Sequence, residues 1–493
     1  GFIVFIFLLF SLGRLELSLI AFLPLALSWV WILGLMGIFD MKFNIVNIIL
    51  ATFIFGQGDD YTIFMTEGLI YEYTYRRRTL ASYKDSIALS AAIMFVGMGA
   101  MIFARHPALR SLGEVTVVGM FSVVVMAYIF PPFLFGFLTS TRGKARRMPV
   151  TLRNLFISIY AFTYFLVLSF GLTVVGWVMF TLGKKTSRKK AAYHRMLYSV
   201  ARFTMHHFPQ VRTTVENTCG EDFRRPSIIL CNHQSHLDLM CLLMLTPKLI
   251  ILTNDWVWHS PFYGQLIRYA DFYPVTEGID RTLEHLREAK HQGYSIAIFP
   301  EGTRSPDCSL LRFRRGAFFL AEQLNMDLLP VVLHGTGHVL PKQDFMLRRG
   351  SIHVRVLPRI TPADTRFGTD HIARARQLRQ FYRAEYEALC HRVETPAYFA
   401  DLVLHNYIYK GPSVERAVRH ALRQHDNYTA EIFALSDSGE VTLRNTGYGE
   451  HALLAALVKP HLRITAVEPD DDRRAIAEHC AARPANLQYV SEA

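Results

Sequence analysis

The sequence predicts a multidomain protein: an all-α transmembrane helix bundle, then a membrane-associated α/β domain, then a partial α/β tail. Long apolar spans fill residues 1–150, and short β-like runs alternate with helix-like runs between 191 and 395. A second alternation of this kind occupies residues 396–493. A chain of 493 residues has room for about three domains of roughly 150 residues each.

Composition favours a membrane over a nucleic acid as the partner. The chain carries a formal net charge of +12, 51% hydrophobic residues and a mean hydropathy of +0.19. Basic residues beside long apolar spans are typical of the cytoplasmic flanks of membrane helices, whereas nucleic-acid-binding proteins carry basic patches without such spans. We therefore expect membrane lipids as partners and no nucleic acid. The six cysteines form no CxxC pair, which favours a reducing cytoplasm for the later part of the chain.

Five apolar spans precede residue 140, and each complete one approaches the roughly 20 residues that cross a bilayer as a helix. They are Phe2–Leu12, Leu19–Phe39, Phe43–Ile70, Ile87–Phe103 and Val115–Leu138. Basic loops follow the third span at Arg76–Arg78 and the fifth at Arg142–Arg147, so both loops should be cytoplasmic. The chain begins at Gly1 inside an apolar run, and we expect it to be a piece of a longer protein.

An acidic pair lies in the third span, within the motif GQGDDY. An ionisable residue in a membrane helix is costly and usually marks a proton relay or ion site; alternatively, the span ends early and Asp59 and Asp60 cap a loop. The motif and the five spans of residues 1–150 resemble the membrane half of the RND/MMPL exporter superfamily, because Gly56, Gly58, Asp60 and Tyr61 match its Gly-x-Gly-x-Asp-Tyr pattern. The resemblance implies that Asp60 and Tyr61 are the proton-relay pair and that a second exporter half lies on the full-length chain.

A further apolar segment, Leu155 to Gly183, is flanked by basic residues on both sides. As a straight helix it would be about 44 Å long, against a hydrocarbon core of about 30 Å. Basic residues at both ends favour the cytoplasm for both ends. We therefore predict that residues 151–190 form a membrane-embedded hairpin that bends near Phe170 and Gly171, followed by a basic linker. One long tilted crossing is the alternative.

Two histidines and an aspartate follow a β-like run in CNHQSHLD, from Cys231 to Asp238. Three interpretations are open: a metal site, a general base held by a carboxylate, or polar residues of a turn. A metal site needs three or four ligands, and no further Cys/His cluster has a suitable spacing. In the second interpretation Asp238 fixes the tautomer of His233, and the substrate supplies the hydroxyl nucleophile. His236 has no role in that arrangement, and His-x4-Asp alone is a weak signal.

A second motif, IFPEGTRS, follows a later β-like run. It places a turn at the carboxyl end of a strand, where open α/β sheets usually hold ligands. Gly302 allows a close approach of the backbone, and the planar fork of Arg304 suits a phosphate. The alternative is an ordinary turn with a solvated arginine.

Together the two motifs resemble the PlsC-type glycerolipid acyltransferase family, which transfers an acyl chain from a thioester to a lipid hydroxyl. The resemblance covers residues 191–395, with Gly264 in the second block and Pro330 in the fourth. It implies that His233 is the general base and that Asp238 orients it. The acceptor-phosphate site would be formed by Glu301, Gly302, Thr303 and Arg304, together with Arg314 of FRRG.

The resemblance also implies co-substrates, and the sequence departs from the family pattern in one place. An acyl-CoA or acyl carrier protein thioester would supply the acyl group, and neither a cofactor nor a metal is required. The departure is in the second block, where Pro274-Val275-Thr276-Glu277 stands in place of the usual Asp-Arg. The acceptor could therefore differ from an ordinary lysophosphatidic acid.

The tail contains a glycine turn between a strand-like VTLRN and a helix-like run, with an acid at the end of the next strand-like run. This order is typical of a nucleotide site. It resembles the start of an S-adenosylmethionine-dependent methyltransferase, with Gly447 and Gly449 as the turn and Glu468 as the ribose-facing acid. Asn445 stands where that family usually has an acid, and the sequence stops after about one third strand. We expect a partial Rossmann-like module, degenerate or truncated, that does not bind S-adenosylmethionine tightly.

The leading hypothesis is a multi-pass protein of the bacterial inner membrane, with an O-acyltransferase domain on the cytoplasmic side. The acceptor would be a lipid like lysophosphatidic acid, and the enzyme would be fused to an exporter half. The alternative is an RND/MMPL-type exporter of a lipid-like product whose acyltransferase-like domain only binds lipid. The complete dyad and phosphate block favour the enzyme.

Overall fold

The computed structural model describes residues 2–42, 44, 45, 48–181, 186–274 and 279–491. The chain forms two compact units, one of Gly1–Leu152 with Glu394–Ala493 and one of Arg153–Val393. The departure predicted at Val275 to Glu277 lies outside the described residues.

The N-terminal part of the first unit is helical, as predicted. Its helices are α1 (Phe2–Leu12), α2 (Leu15–Ile38), α3 (Ile49–Tyr75), α4 (Leu80–Gly99) and α5 (Pro107–Thr139), with a 3-10 turn at Ala100–Phe103 and two short strands, β1 (Ser140–Thr141) and β2 (Lys144–Ala145). Four helical segments of the described chain are long and apolar enough to cross a membrane: Leu15–Ile38, Leu80–Phe103, Pro107–Thr139 and Leu152–Thr181. Many of their large apolar side chains point outward, which is stable in lipid and costly in water. The protein is therefore a membrane protein.

Helix α3 runs without a break through the acidic pair and ends at Tyr75. The alternative in which Asp59 and Asp60 cap a loop is therefore wrong. The acidic pair is thus part of a helix, but α3 is not among the four described segments apolar enough to cross a membrane.

The predicted bend near Phe170 and Gly171 is also wrong. Residues Leu152–Thr181 form one unbroken helix, α6, of 30 residues. A single glycine costs a helix only about 1 kcal/mol relative to alanine, and α6 contains no proline.

The chain does turn back on itself, but after α6. The next helix, α7 (Ser187–His207), lies antiparallel to α6. The hydroxyl of Tyr193 donates to the carbonyl of Leu172 at 3.2 Å, and the hydroxyls of Tyr164 and Thr204 are 3.0 Å apart. Residues later in α7 thus contact residues earlier in α6, so the hairpin consists of two helices.

The unit Arg153–Val393 contains a seven-stranded mixed sheet in the order β3-β9-β8-β4-β7-β5-β6. The strands are β3 (Val211–Glu216), β4 (Ser227–Cys231), β5 (Leu249–Thr253), β6 (Tyr273–Pro274), β7 (Ser295–Ile298), β8 (Asp327–His334) and β9 (Gly350–Val356). The helices after α7 are α8 (Leu237–Leu243), α9 (Asp255–Trp258), α10 (Gly264–Tyr269), α11 (Ile279–His291), α12 (Gly316–Leu324), α13 (Thr336–Val339) and α14 (His371–Val393). Only β8 and β9 pair antiparallel in this sheet of the described chain, so the predicted, largely parallel α/β sheet is confirmed.

Strand β4 occupies the middle of this sheet, and all five of its residues are buried. Its side chains alternate between two apolar layers, as a strand covered on both faces requires. Ile229 and Cys231 pack with residues of α7 and α8, while Ile228 and Leu230 pack with residues of α12 and α14. The loop that follows Cys231 therefore emerges at the carboxyl end of the best-buried strand.

The tail completes the first unit. It comprises α15 (Pro396–His405), α16 (Pro412–Arg423), α17 (His425–Ala434), β10 (Gly439–Arg444), α18 (Glu450–Val458), β11 (Leu462–Val467), α19 (Asp471–Glu478) and β12 (Leu487–Val490). The three strands form a parallel sheet in the order β10-β11-β12. Its attachment to the N-terminal helices includes a bidentate ion pair between Arg14 and Glu415, with both N···O distances at 2.6 Å.

Candidate active site

The loop after β4 brings His233 and Asp238 together. The Nδ1 atom of His233 lies 2.8 Å from Oδ2 of Asp238. The same Oδ2 accepts hydrogen bonds from the backbone N–H groups of Gln234 at 2.6 Å and Ser235 at 2.8 Å. Since backbone N–H groups can only donate, Oδ2 is an acceptor, and Nδ1 of His233 is the third donor. The Nε2 atom of His233 therefore keeps its lone pair, as a general base requires.

The side chains of His233 and Asp238 differ in solvent exposure, which indicates different roles. Asp238 is fully buried, whereas the His233 side chain is 18% exposed. The imidazole ring stacks on Phe299, with ring centroids 4.0 Å apart and an interplanar angle of 18°. His233 can therefore meet a substrate in a fixed orientation, while Asp238 acts only through His233. This geometry favours the general-base interpretation over a metal site or a turn without chemistry.

Glu301 joins the loops of the two motifs. Its carboxylate accepts hydrogen bonds from the backbone N–H groups of His233 and Leu311, both at 2.9 Å. The side chain is buried, and burial raises the pKa of Glu301 to about 7 although these two N–H groups act in the opposite direction. In return, the N–H of Ser305 donates to the carbonyl of His233 at 2.7 Å. Glu301 thus holds the backbone of the base, and its predicted part in acceptor binding stays a prediction.

The turn after Glu301 collects three basic residues on the same side of the site. Gly302 adopts a φ of +68°, and a Cβ there would lie 2.8 Å from Nε of Arg314. Glycine is required because it allows both this backbone conformation and the close packing of that guanidinium. The ammonium of Lys342 donates to the carbonyl of Arg304 at 2.6 Å and to the hydroxyl of Thr303 at 3.3 Å. The structure therefore groups Gly302, Thr303, Arg304 and Arg314, and adds Lys342.

Two observations place the side chain of Arg304 near the dyad. Loss of hydration lowers the pKa of Arg304, while Asp238 and Tyr263 act in the opposite direction. Loss of hydration also lowers the pKa of His236 to about 4, and the positive charges of Arg304 and His233 lower it further. Within the described chain the guanidinium of Arg304 makes no ion pair, so its charge is available to an anion. His236 is neutral near pH 7 and lies near this guanidinium.

An apolar cavity of about 90 Å³ borders helix α8, which carries Asp238. Its lining comes from α6, α7, α8 and the loop before β9, and includes Ala161, Tyr164, Phe165, Thr204, Phe208, Leu237, Met240 and Leu347. Leu237 directly precedes Asp238. Neither His233 nor Asp238 lines the cavity, and its apolar walls suit an alkyl group.

Exposed aromatic side chains extend the apolar surface of α6. Phe345 is 73% exposed, and its ring centroid lies 6.1 Å from that of Phe162. The ring of Tyr263 lies 6.1 Å from that of Phe165. Because Tyr263 is also close enough to Arg304 to affect its pKa, the apolar surface reaches the basic side of the site.

The predicted relay pair of the first unit occupies α3. The Tyr61 side chain is buried, with its hydroxyl 3.4 Å from that of Ser90, whereas Asp60 is exposed. Its neighbour Asp59 is half-buried, and one of its carboxylate oxygens is buried without a hydrogen-bond partner among the described residues. The structure does not bring Asp60 and Tyr61 to the same face, and their role as a relay stays a prediction.

In the tail, the structure brings the predicted nucleotide-site residues close together, and two of them, Glu468 and Gly447, are hydrogen-bonded to each other. One carboxylate oxygen of Glu468 accepts the N–H of Gly447 at 2.7 Å, and the side chain is buried. The hydroxyl of Tyr489 donates to the carbonyl of Gly449 at 3.1 Å. Tyr489 also lies within 2.6 Å of the position that a Cβ of Gly449 would take. Tyr489 and Ala477 thus cover Gly449, whereas a Cβ at Gly447 would have no atom within 4 Å.

Sequence reasoning missed Lys342, Tyr263 and the structural part of Glu301. Lys342 follows β8 by eight residues and belongs to neither motif, so only the fold shows that it reaches the EGTR turn. One sequence signal could have suggested Lys342: it is a basic residue that follows the fourth family block, which contains Pro330.

Comparison with known proteins confirms both predicted resemblances. Residues 204–334 match the sequence model of the acyltransferase family, and residues 3–155 match that of the MMPL family. Two separate segments of the chain are thus similar to these two families. The methyltransferase resemblance of the tail stays a prediction.

The similar curated proteins are acyltransferases of one kind. The chain is 30% identical over 145 residues to the chloroplastic 1-acyl-sn-glycerol-3-phosphate acyltransferase of Arabidopsis thaliana, covering 28% of this chain and 40% of that protein. It is 30% identical over 146 residues to the 1-acyl-sn-glycerol-3-phosphate acyltransferase of Saccharomyces cerevisiae, covering 28% of this chain and 48% of that protein. The chain therefore spans less than half the length of these two relatives.

Among solved structures, the 1-acyl-sn-glycerophosphate acyltransferase PlsC of Thermotoga maritima matches with a TM-score of 0.42 and 21% sequence identity. The match covers 48% of this chain and 96% of that protein.

We predict that Asp238→Asn lowers the rate of acyl transfer by about 10²–10⁴ while the protein stays folded. The amide oxygen can still accept the three hydrogen bonds at the Oδ2 position, but the negative charge that stabilises a protonated His233 is lost. The measurement is the initial rate of thioester consumption with purified protein, beside a thermal unfolding curve. Asp222→Asn, at an exposed position, is the matched control and should keep full activity. A normal rate in Asp238→Asn would contradict the role of the dyad.

Proposed function

We propose that this chain is a membrane-bound O-acyltransferase that transfers an acyl chain from a thioester to the hydroxyl of a lipid like lysophosphatidic acid. The observation that carries the proposal is the His233–Asp238 pair, with Nε2 of His233 free and three basic residues nearby. The similarity to 1-acyl-sn-glycerol-3-phosphate acyltransferases and the match of residues 204–334 to the acyltransferase-family model support the same class of reaction.

The chain's own residues suffice for each proton transfer. Nε2 of His233 accepts the proton of the lipid hydroxyl as the hydroxyl oxygen attacks the thioester carbonyl carbon. The new C–O bond gives a tetrahedral intermediate, and the buried charge of Asp238 stabilises the imidazolium during this step. The C–S bond then breaks, and the departing thiolate takes the proton from Nε2. The products are the acylated lipid and a free thiol.

The acceptor phosphate would bind the basic side of the site. Arg304 and Arg314 present guanidinium forks, which suit the planar arrangement of two phosphate oxygens, and Lys342 adds an ammonium group. His236 next to Arg304 is neutral and adds no charge, so the guanidinium itself would be the anchor. Thr303 and Gly302 would contribute a hydroxyl and a close backbone approach.

The acyl chains would enter from the apolar side. A cavity of about 90 Å³ holds only about three water volumes, so it accommodates a short part of an alkyl chain next to the dyad. The remainder would lie along the exposed apolar face of α6 and the aromatic side chains beside it. We propose that this face contacts lipid at the cytoplasmic side of the bacterial inner membrane, where acyl-CoA or an acyl carrier protein can deliver the thioester. No cofactor takes part in the proposed steps.

A second function is favoured by the MMPL-family segment at residues 3–155. In this alternative the chain contributes half of an exporter for a lipid-like product, with Asp60 and Tyr61 as its proton relay. The acyltransferase-family domain would then only bind lipid. A partner half on the full-length chain would complete the exporter.

We predict that the effect of substituting Arg304 depends on whether the acceptor lipid carries a phosphate. With 1-acylglycerol-3-phosphate as acceptor, Arg304→Gln should raise KM by about tenfold or more with a smaller change in kcat, because a ground-state anchor is lost. With 1-acylglycerol, which has no phosphate, the same substitution should leave KM unchanged. Arg312→Gln, an exposed arginine of the same segment, is the control. Equal KM values for the two acceptors in the wild type would exclude a phosphate-bearing substrate.

For the tail, we propose that it does not bind S-adenosylmethionine tightly. Glu468 and the glycine turn are bonded to each other, and Tyr489 covers Gly449. Isothermal titration calorimetry on the whole chain should therefore detect no binding of S-adenosylmethionine at micromolar concentration. Micromolar affinity that is lost in Glu468→Gln would refute this proposal.

A further inference from the structure

An open cavity of about 480 Å³ lies in the unit Gly1–Leu152 with Glu394–Ala493, apart from the acyltransferase-family domain. One side of it is Arg76, which directly follows α3. The rest is the end of α19 and the loop after it: Glu478, His479, Cys480, Ala481 and Arg483. Neither predicted relay residue nor predicted nucleotide-site residue lines this cavity.

The cavity has an excess of positive charge. In the described part of the chain, neither the guanidinium of Arg76 nor that of Arg483 makes an ion pair. The single carboxylate of the lining, Glu478, has Arg474 at 3.9 Å as a neighbouring cation. Among the described residues, Arg76 and Arg483 therefore have no protein counter-ion.

A buried lysine beneath the lining adds to this excess. Lys410 is 3% exposed, and its ammonium donates to the carbonyl of Ile476 at 2.9 Å and contacts Sγ of Cys480 at 3.6 Å. No carboxylate pairs with it among the described residues. Loss of hydration lowers the pKa of Lys410, and the positive charge of Arg76 lowers it further.

The effect of these cations extends to His479. Burial lowers the pKa of His479, and the charges of Arg76 and Lys410 act in the same direction. Protonation of this imidazole is therefore opposed by a positive potential at the cavity wall. An anion in the cavity would relieve that potential for all of these groups at once.

The position of the cavity indicates which anion reaches it. Helix α3 ends at Tyr75, and Leu80–Phe103, a segment long and apolar enough to cross a membrane, begins four residues after Arg76, so Arg76 lies in the short link at its end. Such links lie at the membrane–water interface, where basic residues meet the phosphates of lipid headgroups. The volume corresponds to about 16 water molecules at roughly 30 Å³ each, which is enough for a phosphate with its glycerol.

We propose that this cavity binds the phosphate headgroup of an anionic membrane lipid, with Arg76 and Arg483 as its direct ligands. Lys410 supports the site through its buried charge. The lipid would link the end of α3 to the tail through a shared anion, in addition to their direct contacts. The site does not depend on acyl transfer, and its test does not use that activity.

The test is photolabelling of the whole chain in nanodiscs with a phosphatidic acid that carries a diazirine next to its headgroup. Labelled peptides are mapped by mass spectrometry, which separates this site from the acyltransferase-family domain. We expect label on the peptides that contain Arg76 and residues 474–483. The double variant Arg76→Gln/Arg483→Gln should lose at least about tenfold of that label, because both direct ligands are removed. Both side chains are exposed, so their substitution leaves the apolar core in place.

The matched control is Arg78→Gln, an exposed arginine of the same link that does not line the cavity, and it should label as the wild type does. A diacylglycerol photoprobe, which has no phosphate, should not label these peptides. Unchanged labelling in the double variant, or equal labelling by the diacylglycerol probe, would overturn the proposal. Loss of the label in millimolar inorganic phosphate would assign the site to free phosphate and equally contradict a lipid site.

Discussion

The Oδ2 atom of Asp238 accepts three hydrogen bonds, and the arrangement of the candidate active site depends on them. Two come from the backbone of the loop after β4 and one from the imidazole of His233. One buried oxygen thus fixes the loop, the orientation of the ring and the nitrogen that faces the substrate. A buried acceptor with three donors is costly to disturb, since each donor left without a partner would lose about 1–3 kcal/mol. The rigid β4 strand and Glu301 hold the same loop from the opposite side.

The fold brings together two surfaces that the proposed reaction needs. Basic residues gather at the EGTR turn, which is hydrogen-bonded to the loop of His233, and an apolar cavity lies between α6, α7 and α8. A lipid with a phosphate and an alkyl chain is the kind of molecule that would contact both. Tyr263, beside Phe165 and near Arg304, marks where these surfaces meet.

Local patterns were predictable from the sequence, and long-range contacts were not. His233 and Asp238 are five residues apart across a strand end and a helix turn, so a local pattern could suggest their contact. That pattern was a weak signal until the IFPEGTRS motif supported it. The partners of Glu301 are backbone groups, which no side-chain motif reveals. The bend at Phe170 and Gly171 was wrong because the positive charges indicate only that the chain returns, and the return occurs after Thr181. The contact of Arg14 with Glu415 joins residues about 400 positions apart, and no local pattern reports it.

The central claim is that His233 acts as a base in acyl transfer, and one assay tests it most directly. The purified chain in detergent is mixed with radiolabelled acyl-CoA, or with an acyl carrier protein thioester, and 1-acylglycerol-3-phosphate. Labelled phosphatidic acid is then measured for the wild type and for His233→Ala. The account predicts steady formation by the wild type and a loss of about 10²–10⁴ in His233→Ala, with unchanged thermal unfolding. Equal rates in the two proteins would contradict it, and binding of the lipid without any transfer by the wild type would favour the exporter alternative.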